Sequence, residues 1–269
     1  MNITILTNKD LASNVALNYL HHAIGQQHKL RVLLSARVGK KSARTSLPKA
    51  LEDLRFIEQT LVNNILFPAL GARKEVPEGK LASFAELAQQ GISVEEIGSI
   101  NCEQGMAIVK AGAPDLIISI RFGLILKDPV LNIAKYGVIN LHSGLLPGYR
   151  GVMACFRAMQ HNEREIATTL HYIRDASIDT GDIISVYKMP LNYQVSYLAN
   201  LLELYKGGVD SIVDAIKQIH EQGLADSHEQ IAGGNYYSFP TEGDLQVFAD
   251  RGLKLFKHED VVAFSKWYF

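Results

Sequence analysis

Short apolar segments rich in β-branched residues alternate along this chain with longer segments whose apolar residues recur at helical spacing. The pattern predicts strands at residues 3–7, 30–38, 94–97 and 115–120. Between them it predicts helices at residues 11–20, 50–66 and 81–90. Strands that alternate with helices favour an α/β fold with a parallel sheet, because each return to a parallel strand needs a long crossover connection.

The segment 115–120 is apolar at nearly every position, which is typical of a strand that helices cover on both faces. Further strands are predicted at residues 137–141, 168–173 and 183–188, followed by a helix over 198–220. The predicted fold class is therefore α/β, a Rossmann-like open sheet that is mostly parallel, with a small C-terminal appendage. We place a domain boundary near residue 195, between a core over 1–195 and a C-terminal helix with the appendage over 196–269.

The first strand-to-helix turn, Asn8-Lys9-Asp10, contains no glycine. Dinucleotide-binding turns need glycine where the backbone approaches the pyrophosphate. The sequence therefore argues against nicotinamide or flavin dinucleotide binding in the usual manner. The polar residues of this turn are predicted instead to cap the following helix.

The charges of the chain nearly balance, with 27 Lys+Arg against 28 Asp+Glu and a net charge of −1. Proteins that bind nucleic acid through its phosphates usually carry a basic excess. A local basic cluster is predicted to be a solvated loop; it consists of Lys29, Arg31, Arg37, Lys40, Lys41, Arg44 and Lys49. No apolar run approaches the roughly 20 residues of a membrane-spanning helix. We therefore expect neither a nucleic acid nor a membrane as partner.

The two cysteines, Cys102 and Cys155, form no Cys-x-x-Cys motif. The first residues lead directly into a strand-like pattern, without the basic segment and apolar core of a targeting signal. These features predict a reducing, cytoplasmic setting.

The most informative stretch is residues 137–151, in which a predicted strand leads into a loop with three glycines and a proline. Asn140 and His142 occupy alternate positions of the strand and therefore share one face. A buried polar group without a partner costs about 1–3 kcal/mol, so both side chains need partners. Because open α/β sheets bind ligands beyond the carboxyl ends of their strands, we interpret the pair as part of a ligand site.

Residues 122–184 resemble the catalytic core of the tetrahydrofolate-dependent formyltransferases. This family includes glycinamide ribonucleotide formyltransferase, methionyl-tRNA formyltransferase and the amino-sugar N-formyltransferases. Its pattern is Asn-x-His, then a Leu-Leu-Pro loop, then an aspartate before a Thr-Gly or Gly-Gly turn. The matching residues here are Asn140, His142, Leu145-Leu146-Pro147, Tyr149-Arg150-Gly151 and Asp179-Thr180-Gly181, with Asp179 standing 39 positions after Asn140.

The resemblance implies 10-formyltetrahydrofolate as a co-substrate. It implies that main-chain groups of the segment 122–126 hold the pterin ring and that the loop 175–179 closes over it. The residues predicted to contact the folate are Phe122, Gly123, Leu124, Ile125, Leu126, Leu146, Asp175 and Ile178. Two positions depart from the family pattern: Gly144 stands where serine is usual, and Ala154 stands where the tRNA-acting members commonly have proline.

The resemblance also implies roles for three side chains. A neutral amine attacks the formyl carbon and negative charge develops on the oxygen, where each preorganised donor is worth about 3–4 kcal/mol. Asn140 would donate from its amide and His142 from its imidazolium. Asp179 would keep the imidazole charged and accept the proton of the amine, directly or through water. No metal is required.

Other reactive residue types carry weaker signals. Ser143 lacks the Gly-x-Ser-x-Gly context of a serine nucleophile, and Cys155 lies in a predicted helix, as buried inert thiols commonly do. The histidines show no zinc-ligand spacing. His171 is predicted either to line the site or to pack, and Asp175 and Asp182 are predicted to serve turns or caps.

The predicted acceptor is the amine of a small molecule. A nucleotide-linked amino sugar is favoured, and a hydroxyornithine-type amine is a further candidate. The segment 196–269 is not strongly basic and is shorter than the β-barrel that the resemblance implies for a tRNA-acting member. Acceptor contacts are expected in this segment and in the insertion over 39–81, because loops on a shared scaffold set specificity.

Three alternatives stay open: a methionyl-tRNA formyltransferase-like protein, a formyltetrahydrofolate hydrolase and a non-catalytic folate-binding protein. The hydrolases carry a regulatory domain ahead of the catalytic core, for which strands and helices that begin at residue 3 leave no room. A homodimer contact through Tyr236, Tyr237 and Phe239 is weighed equally with packing of these residues against the core.

Overall fold

The computed structural model of the chain describes residues 1–35, 47–71, 73, 75–231 and 233–269. The strands in these ranges are β1 (Asn2–Asn8), β2 (Lys29–Ser35), β3 (Ser93–Glu96), β4 (Leu116–Ile120), β5 (Val138–His142), β6 (Tyr149–Gly151), β7 (Glu165–Tyr172), β8 (Ile183–Pro190) and β9 (Asn235–Tyr237). The helices are α1 (Leu11–Ile24), α2 (Lys49–Arg55), a π-helical segment (Phe56–Leu66), α3 (Phe67–Ala69), α4 (Phe84–Gln89), α5 (Glu103–Ala111), α6 (Asp128–Leu131), α7 (Ala154–Gln160), α8 (Tyr197–Gln222), α9 (Glu242–Asp250) and α10 (His258–Ser265).

Seven strands form one sheet in the order β3-β2-β1-β4-β5-β7-β8. The five strands from β3 to β5 are parallel, and β7 and β8 complete the sheet as antiparallel neighbours. All five residues of β4 are buried, as the apolar run predicts for a strand covered on both faces. The predicted fold class, a mostly parallel Rossmann-like α/β sheet, is confirmed.

The first turn caps α1. The side chain of Asp10 accepts a hydrogen bond of 2.8 Å from the backbone N–H of Ser13, which otherwise has no partner inside the helix. The predicted capping by this glycine-free turn is therefore confirmed.

Alternate residues of β5 face two different apolar clusters. Ile139 and Leu141 belong to the larger cluster, together with residues of α1 and α8, while Val138 belongs to a smaller cluster on the opposite face. The side chains of Asn140 and His142 therefore share the face of the smaller cluster, as the strand period predicts.

The C-terminal helices pack on the same core as the sheet. The ring of Phe248 stacks on Phe156 with 4.5 Å between centroids, and the hydroxyl of Tyr268 donates a 2.6 Å hydrogen bond to Asn14. A second, two-stranded sheet pairs β9 with β6, which lies in the loop after β5.

The division of the chain into two domains near residue 195 stays a proposal.

The predicted helix over 50–66 differs from the structure in its hydrogen bonding, because α2 continues as a π-helical segment. The side-chain amide of Asn63 donates to the carbonyl of Gln59, at 2.8 Å, and to that of Lys9, at 3.0 Å. In an α-helix, the backbone N–H of Asn63 would donate to the Gln59 carbonyl. The side chain competes for that carbonyl, and helical spacing alone does not show this competition.

The predicted basic loop falls largely outside the described residues. Positions 36–38 of the second predicted strand and positions 39–46 of the loop lie there, including Arg37, Lys40, Lys41 and Arg44. Of the remaining members, Arg31 pairs with Glu95 and Lys49 pairs with Asp53. None of the helices in the described part of the chain combines the length and apolar composition that crossing a membrane requires.

Candidate active site

The side chains of Asn140 and His171 face each other across two antiparallel strands. The register pairs Asn140 of β5 with His171 of β7, and the Asn140 amide nitrogen lies 3.0 Å from Nε2 of His171. Nδ1 of His171 lies 2.9 Å from the Tyr172 carbonyl oxygen and donates to it. In the neutral ring, Nε2 then accepts a hydrogen bond from Asn140. Of the two roles predicted for His171, this geometry favours a place in the site.

His142 has an oxygen beside each ring nitrogen. Nε2 lies 2.6 Å from the carbonyl oxygen of Tyr149, and Nδ1 lies 3.5 Å from a carboxylate oxygen of Asp179. Because a carbonyl oxygen only accepts, Nε2 carries an N–H that donates to Tyr149. The His142 ring is 7 % exposed, so it meets the Asp179 carboxylate in a nearly buried site.

Asp179 reaches the two histidines from the loop between β7 and β8. One carboxylate oxygen lies 3.5 Å from Nε2 of His171, and the other accepts a 2.8 Å hydrogen bond from the Gly151 N–H. Burial raises the pKa of Asp179, but His142, His171 in its protonated form and the hydrogen bond from the Gly151 N–H outweigh burial and lower the pKa to about 2. A carboxylate that stays ionised is thus held between two imidazole rings.

Gly144 is required by the close packing around His142. A Cβ atom at this position would lie 2.6 Å from Nε2 of His142, 2.6 Å from Cβ of Ala154 and 2.7 Å from the carbonyl oxygen of Tyr149. Thr169 closes the loop from the other side by donating to the carbonyl of Gly144 at 2.7 Å. The departure from serine therefore has a steric cause.

The segment 122–126 follows β4, at the same edge of the sheet as the end of β5. The side chain of Asn8 accepts from the backbone N–H of Gly123 at 3.1 Å, and Asn101 donates to the carbonyl of Ile125 at 2.7 Å. Leu126 is buried, whereas Ile125 is 48 % exposed.

The predicted closing loop lies beside His171. Asp175 accepts from the backbone N–H of Ser177 at 2.7 Å, and Ile178 is exposed. A cavity of about 150 Å³ lies here, and its lining includes His171, Asp175 and Ser177.

The two predicted folate segments share apolar packing. Phe122 and Leu124 contact the same small cluster as Ile173, which precedes the closing loop. Leu146 is buried, and its N–H donates to Thr169 at 3.2 Å. That the eight predicted residues contact the folate stays a prediction.

Arg121 anchors the start of the segment 122–126. Its backbone is left-handed, with φ 56°, and its guanidinium lies 3.3 Å from Asp10 and 3.1 Å from Glu58. Burial raises the pKa of Glu58 to about 7, although the charge of Arg121 opposes the rise. This buried ion cluster was not predicted, because its members lie far apart in sequence.

Cys155 and Ser143, which the sequence analysis sets aside as nucleophiles, have environments that do not activate them. Burial raises the pKa of the Cys155 thiol to about 12, so it is an inert thiol. Ser143 lies beside the buried side chain of Tyr205. Asp175 accepts within a turn, as predicted, and Asp182 lies 3.6 Å from Arg174.

A larger cavity of about 430 Å³ lies beside the loop after β5, between α7 and the start of β7. Its lining includes Gly144, Tyr149 and Lys188, but not Asn140, His142 or Asp179. In the described ranges, no group of three or more His, Cys, Asp or Glu side chains has an arrangement suited to a metal ion. That the reaction needs no metal stays a prediction.

The structure thus combines a mostly parallel α/β sheet with a polar group of an amide, two imidazoles and a carboxylate at the end of β5. Residues 97–197 match the family model described as formyl transferase. This match agrees with the resemblance noted in the sequence and covers the part of the chain from α5 to the start of α8.

Two relatives by sequence are methionyl-tRNA formyltransferases. That of Carboxydothermus hydrogenoformans is 29% identical over an alignment of 174 residues, with 55% of this chain and 56% of the relative covered. That of Bordetella pertussis is 30% identical over 162 residues, which are 60% of this chain and 52% of the relative. The chain thus spans about half the length of the curated relatives it matches.

Solved structures share the fold at low sequence identity. A 4-N formyltransferase from Francisella tularensis is 19% identical with a TM-score of 0.57. The match covers 88% of this chain and 76% of that structure's chain. An N-formyltransferase from Helicobacter canadensis, in complex with folinic acid and dTDP-3-aminofucose, is 19% identical with a TM-score of 0.54. The match covers 89% of this chain and 71% of that structure's chain.

Proposed function

We propose that the protein is an N-formyltransferase that moves the formyl group of 10-formyltetrahydrofolate to the amine of a small molecule. The observation that carries this proposal is the convergence of an amide, an imidazole and an ionised carboxylate, from Asn140, His142 and Asp179, at the carboxyl end of β5. These groups match the three demands of the reaction: a donor to the developing oxyanion, a positive charge beside it and an acceptor for the amine proton.

In the proposed reaction, the amine nitrogen forms a bond to the formyl carbon, and the carbonyl electron pair moves onto oxygen. The second N–H of the Asn140 amide donates to that oxygen, while the first is held by His171. Collapse of the intermediate breaks the bond from the formyl carbon to N10 of the folate. The amine proton passes to Asp179, directly or through water, and a proton is returned to N10.

His142 acts in this proposal chiefly through its charge. In the structure, the Nε2–H donates to the Tyr149 carbonyl, and Nδ1 lies 3.5 Å from the Asp179 carboxylate. Donation to the formyl oxygen requires the ring to exchange one partner. The 3.5 Å contact to Asp179 is the longer and therefore the weaker of the two.

We propose an anionic acceptor, and a nucleotide-linked amino sugar is the favoured class. Arg150 lies between the two loop residues whose main-chain groups contact His142 and Asp179, and its buried Nε has no hydrogen-bond partner among the described residues. A buried guanidinium N–H with no protein partner among the described residues supports a role for Arg150 in binding an anionic partner. A phosphate or carboxylate group of the acceptor would supply one.

The net charge of −1 supports a small acceptor over a tRNA, although the relatives by sequence are named for methionyl-tRNA.

We place the enzyme in a reducing, cytoplasmic compartment, where its free cysteines Cys102 and Cys155 are stable. A homodimer stays a prediction; Tyr237 stacks on Tyr149, which favours packing for that residue.

The test is to incubate the protein with 10-formyltetrahydrofolate and a panel of acceptors, and to follow product mass. The panel holds nucleotide-linked amino sugars, hydroxylated diamines and aminoacylated initiator tRNA. We expect a gain of one formyl group on a nucleotide-linked amine. Full release of tetrahydrofolate without any amine would identify a hydrolase instead, and a formylated tRNA would identify the tRNA-acting class.

A further inference from the structure

A segment beyond the family match holds both loops of the candidate site. We call residues 228–231 and 233–237 the C-terminal strap; the family model ends at residue 197. The strap runs from the start of β8 to β6, and it contacts first the loop that carries Asp179 and then the loop that follows His142.

The first contact fixes the backbone around Asp179. The side-chain amide of Gln230 donates to the carbonyl of Asp179 at 3.2 Å and to that of Gly181 at 2.6 Å. Asp179 itself is left-handed, with φ 55°, a conformation that a residue with a side chain keeps only when its surroundings hold it. One side chain thus bridges the carbonyls on both sides of Thr180.

The end of this loop is paired with the strap through main-chain groups. The backbone N–H of Ile183 donates to the carbonyl of His228 at 2.8 Å, and the N–H of His228 donates to the carbonyl of Ile183 at 2.9 Å. Gln230 therefore projects from a segment that is itself anchored two residues earlier to the first residue of β8.

The second contact pairs β9 with β6 in parallel, Tyr149 opposite Asn235 and Gly151 opposite Tyr237. The carbonyl of Tyr149 contacts His142, and the N–H of Gly151 contacts Asp179. Between the two contacts the strap passes so close to the loop that a Cβ at Gly234 would lie 1.8 Å from the carbonyl of Pro147.

We propose that Gln230 is a positioning residue that holds the carboxylate of Asp179 between the rings of His142 and His171. The inference rests on the proposed function for its catalytic consequence. The two hydrogen bonds of the Gln230 side chain go to main-chain carbonyls of the loop, so in this proposal Gln230 acts through Asp179 and not on the reacting atoms. Displacement of a catalytic group by about 1 Å costs on the order of a hundredfold in rate, which makes this support measurable.

The test compares Gln230→Met and Gln230→Glu with the control Gln246→Met. Gln246 donates a 2.7 Å hydrogen bond to Asp250 on α9 and is exposed, so its loss removes a similar contact from the same C-terminal part. Gln230→Met removes the donors and keeps a side chain of similar length, whereas Gln230→Glu removes the donors and also places a carboxylate against the two carbonyls.

Two measurements are made on each variant: nitrogen NMR signals of the imidazole rings of His142 and His171, and kcat and KM for 10-formyltetrahydrofolate. We expect both Gln230 variants to shift the ring signals and to lower kcat about tenfold or more, with KM changed less than about threefold. Gln246→Met should change neither.

Unchanged ring signals and unchanged kcat in both Gln230 variants would overturn the inference, as would an equal effect of Gln246→Met. The NMR measurement needs no turnover. If the wild-type protein formylates no acceptor while the Gln230 variants still shift the ring signals, the proposed function fails and the positioning role of Gln230 is supported.

Discussion

The amide nitrogen of Asn140 lies 3.0 Å from Nε2 of His171, and the other nitrogen of that ring is committed to the Tyr172 carbonyl at 2.9 Å. The ring therefore fixes the rotation of the Asn140 amide and leaves the second N–H of the amide for another acceptor. Rotation about the terminal bond of an asparagine is otherwise broad. His171 thereby orients the donor that the proposed reaction needs.

Replacing His171 with Phe should lower kcat about tenfold or more while KM for the folate changes little. The amide loses its orienting partner, while the residues predicted to contact the folate are unchanged. His171→Gln, whose side-chain carbonyl can accept from Asn140, should recover part of the loss. Steady-state kinetics check both variants. Equal activity of His171→Phe and wild type would show that His171 only packs.

The stability of the protein should depend on Asp179 in the acid range. Its folded pKa, about 2, lies below the unfolded value of about 3.9. Folding is therefore stabilised above the unfolded pKa, and this contribution of about 2 kcal/mol is lost as the pH falls from about 4 towards 2.

Urea unfolding at pH 5, 4 and 3 measures this contribution. The difference in free energy of unfolding between wild type and Asp179→Asn should shrink as the pH falls. Asp214→Asn, which alters an exposed carboxyl on α8, is the matched control and should show no such trend. A constant difference between wild type and Asp179→Asn at all three pH values would contradict the ion-pair geometry.

A single methyl group at position 144 should impair the site. Gly144→Ala places Cβ 2.6 Å from Nε2 of His142, so the ring or the loop must move. We expect kcat to fall about tenfold or more. Gly148→Ala is the matched control in the same loop, because its Cβ would meet only the Leu145 carbonyl, at 3.4 Å. Similar kinetics of the two variants would mean that His142 tolerates displacement.

Arg150 should bind an anion in the absence of folate. Inorganic pyrophosphate serves as the probe, and we expect it to raise the melting temperature of the wild-type protein. Arg150→Met should weaken pyrophosphate binding about tenfold or more, because a charge-assisted hydrogen bond is worth about 1.5–3 kcal/mol. The exposed Arg55, changed to Met, provides the control. An unaltered affinity in Arg150→Met would remove the support for an anionic acceptor.

The extent to which the sequence predicts the site depends on how local each relationship is. The shared face of Asn140 and His142 follows from the two-residue period of a strand, and the residues alone predict it. The approach of Asp179 needs the loop after β7 to return along that face in a left-handed turn; only the resemblance to a family suggested it.

Other relationships arise from tertiary packing and leave no mark in local sequence. Gln230 meets the Asp179 loop 51 positions away, and Gly144 is required only because Ala154 and Tyr149 close around His142. The ion cluster of Arg121 with Asp10 and Glu58 is likewise invisible until the fold joins the three segments. The alternation of strands and helices predicted the fold, and the strand period predicted that Asn140 and His142 share a face. The contacts between distant segments came from the structure.

The central claim is best tested by following the formyl carbon itself. The protein is incubated with 10-formyltetrahydrofolate labelled with carbon-13 in the formyl group and with the amine that the acceptor panel identifies. We expect the label on the amine product with wild type, roughly a hundredfold slower transfer with Asn140→Ala, and unchanged transfer with Asn132→Ala, an exposed asparagine after α6. Release of the label as formate at one rate with or without amine, or equal transfer by Asn140→Ala and wild type, would contradict the account.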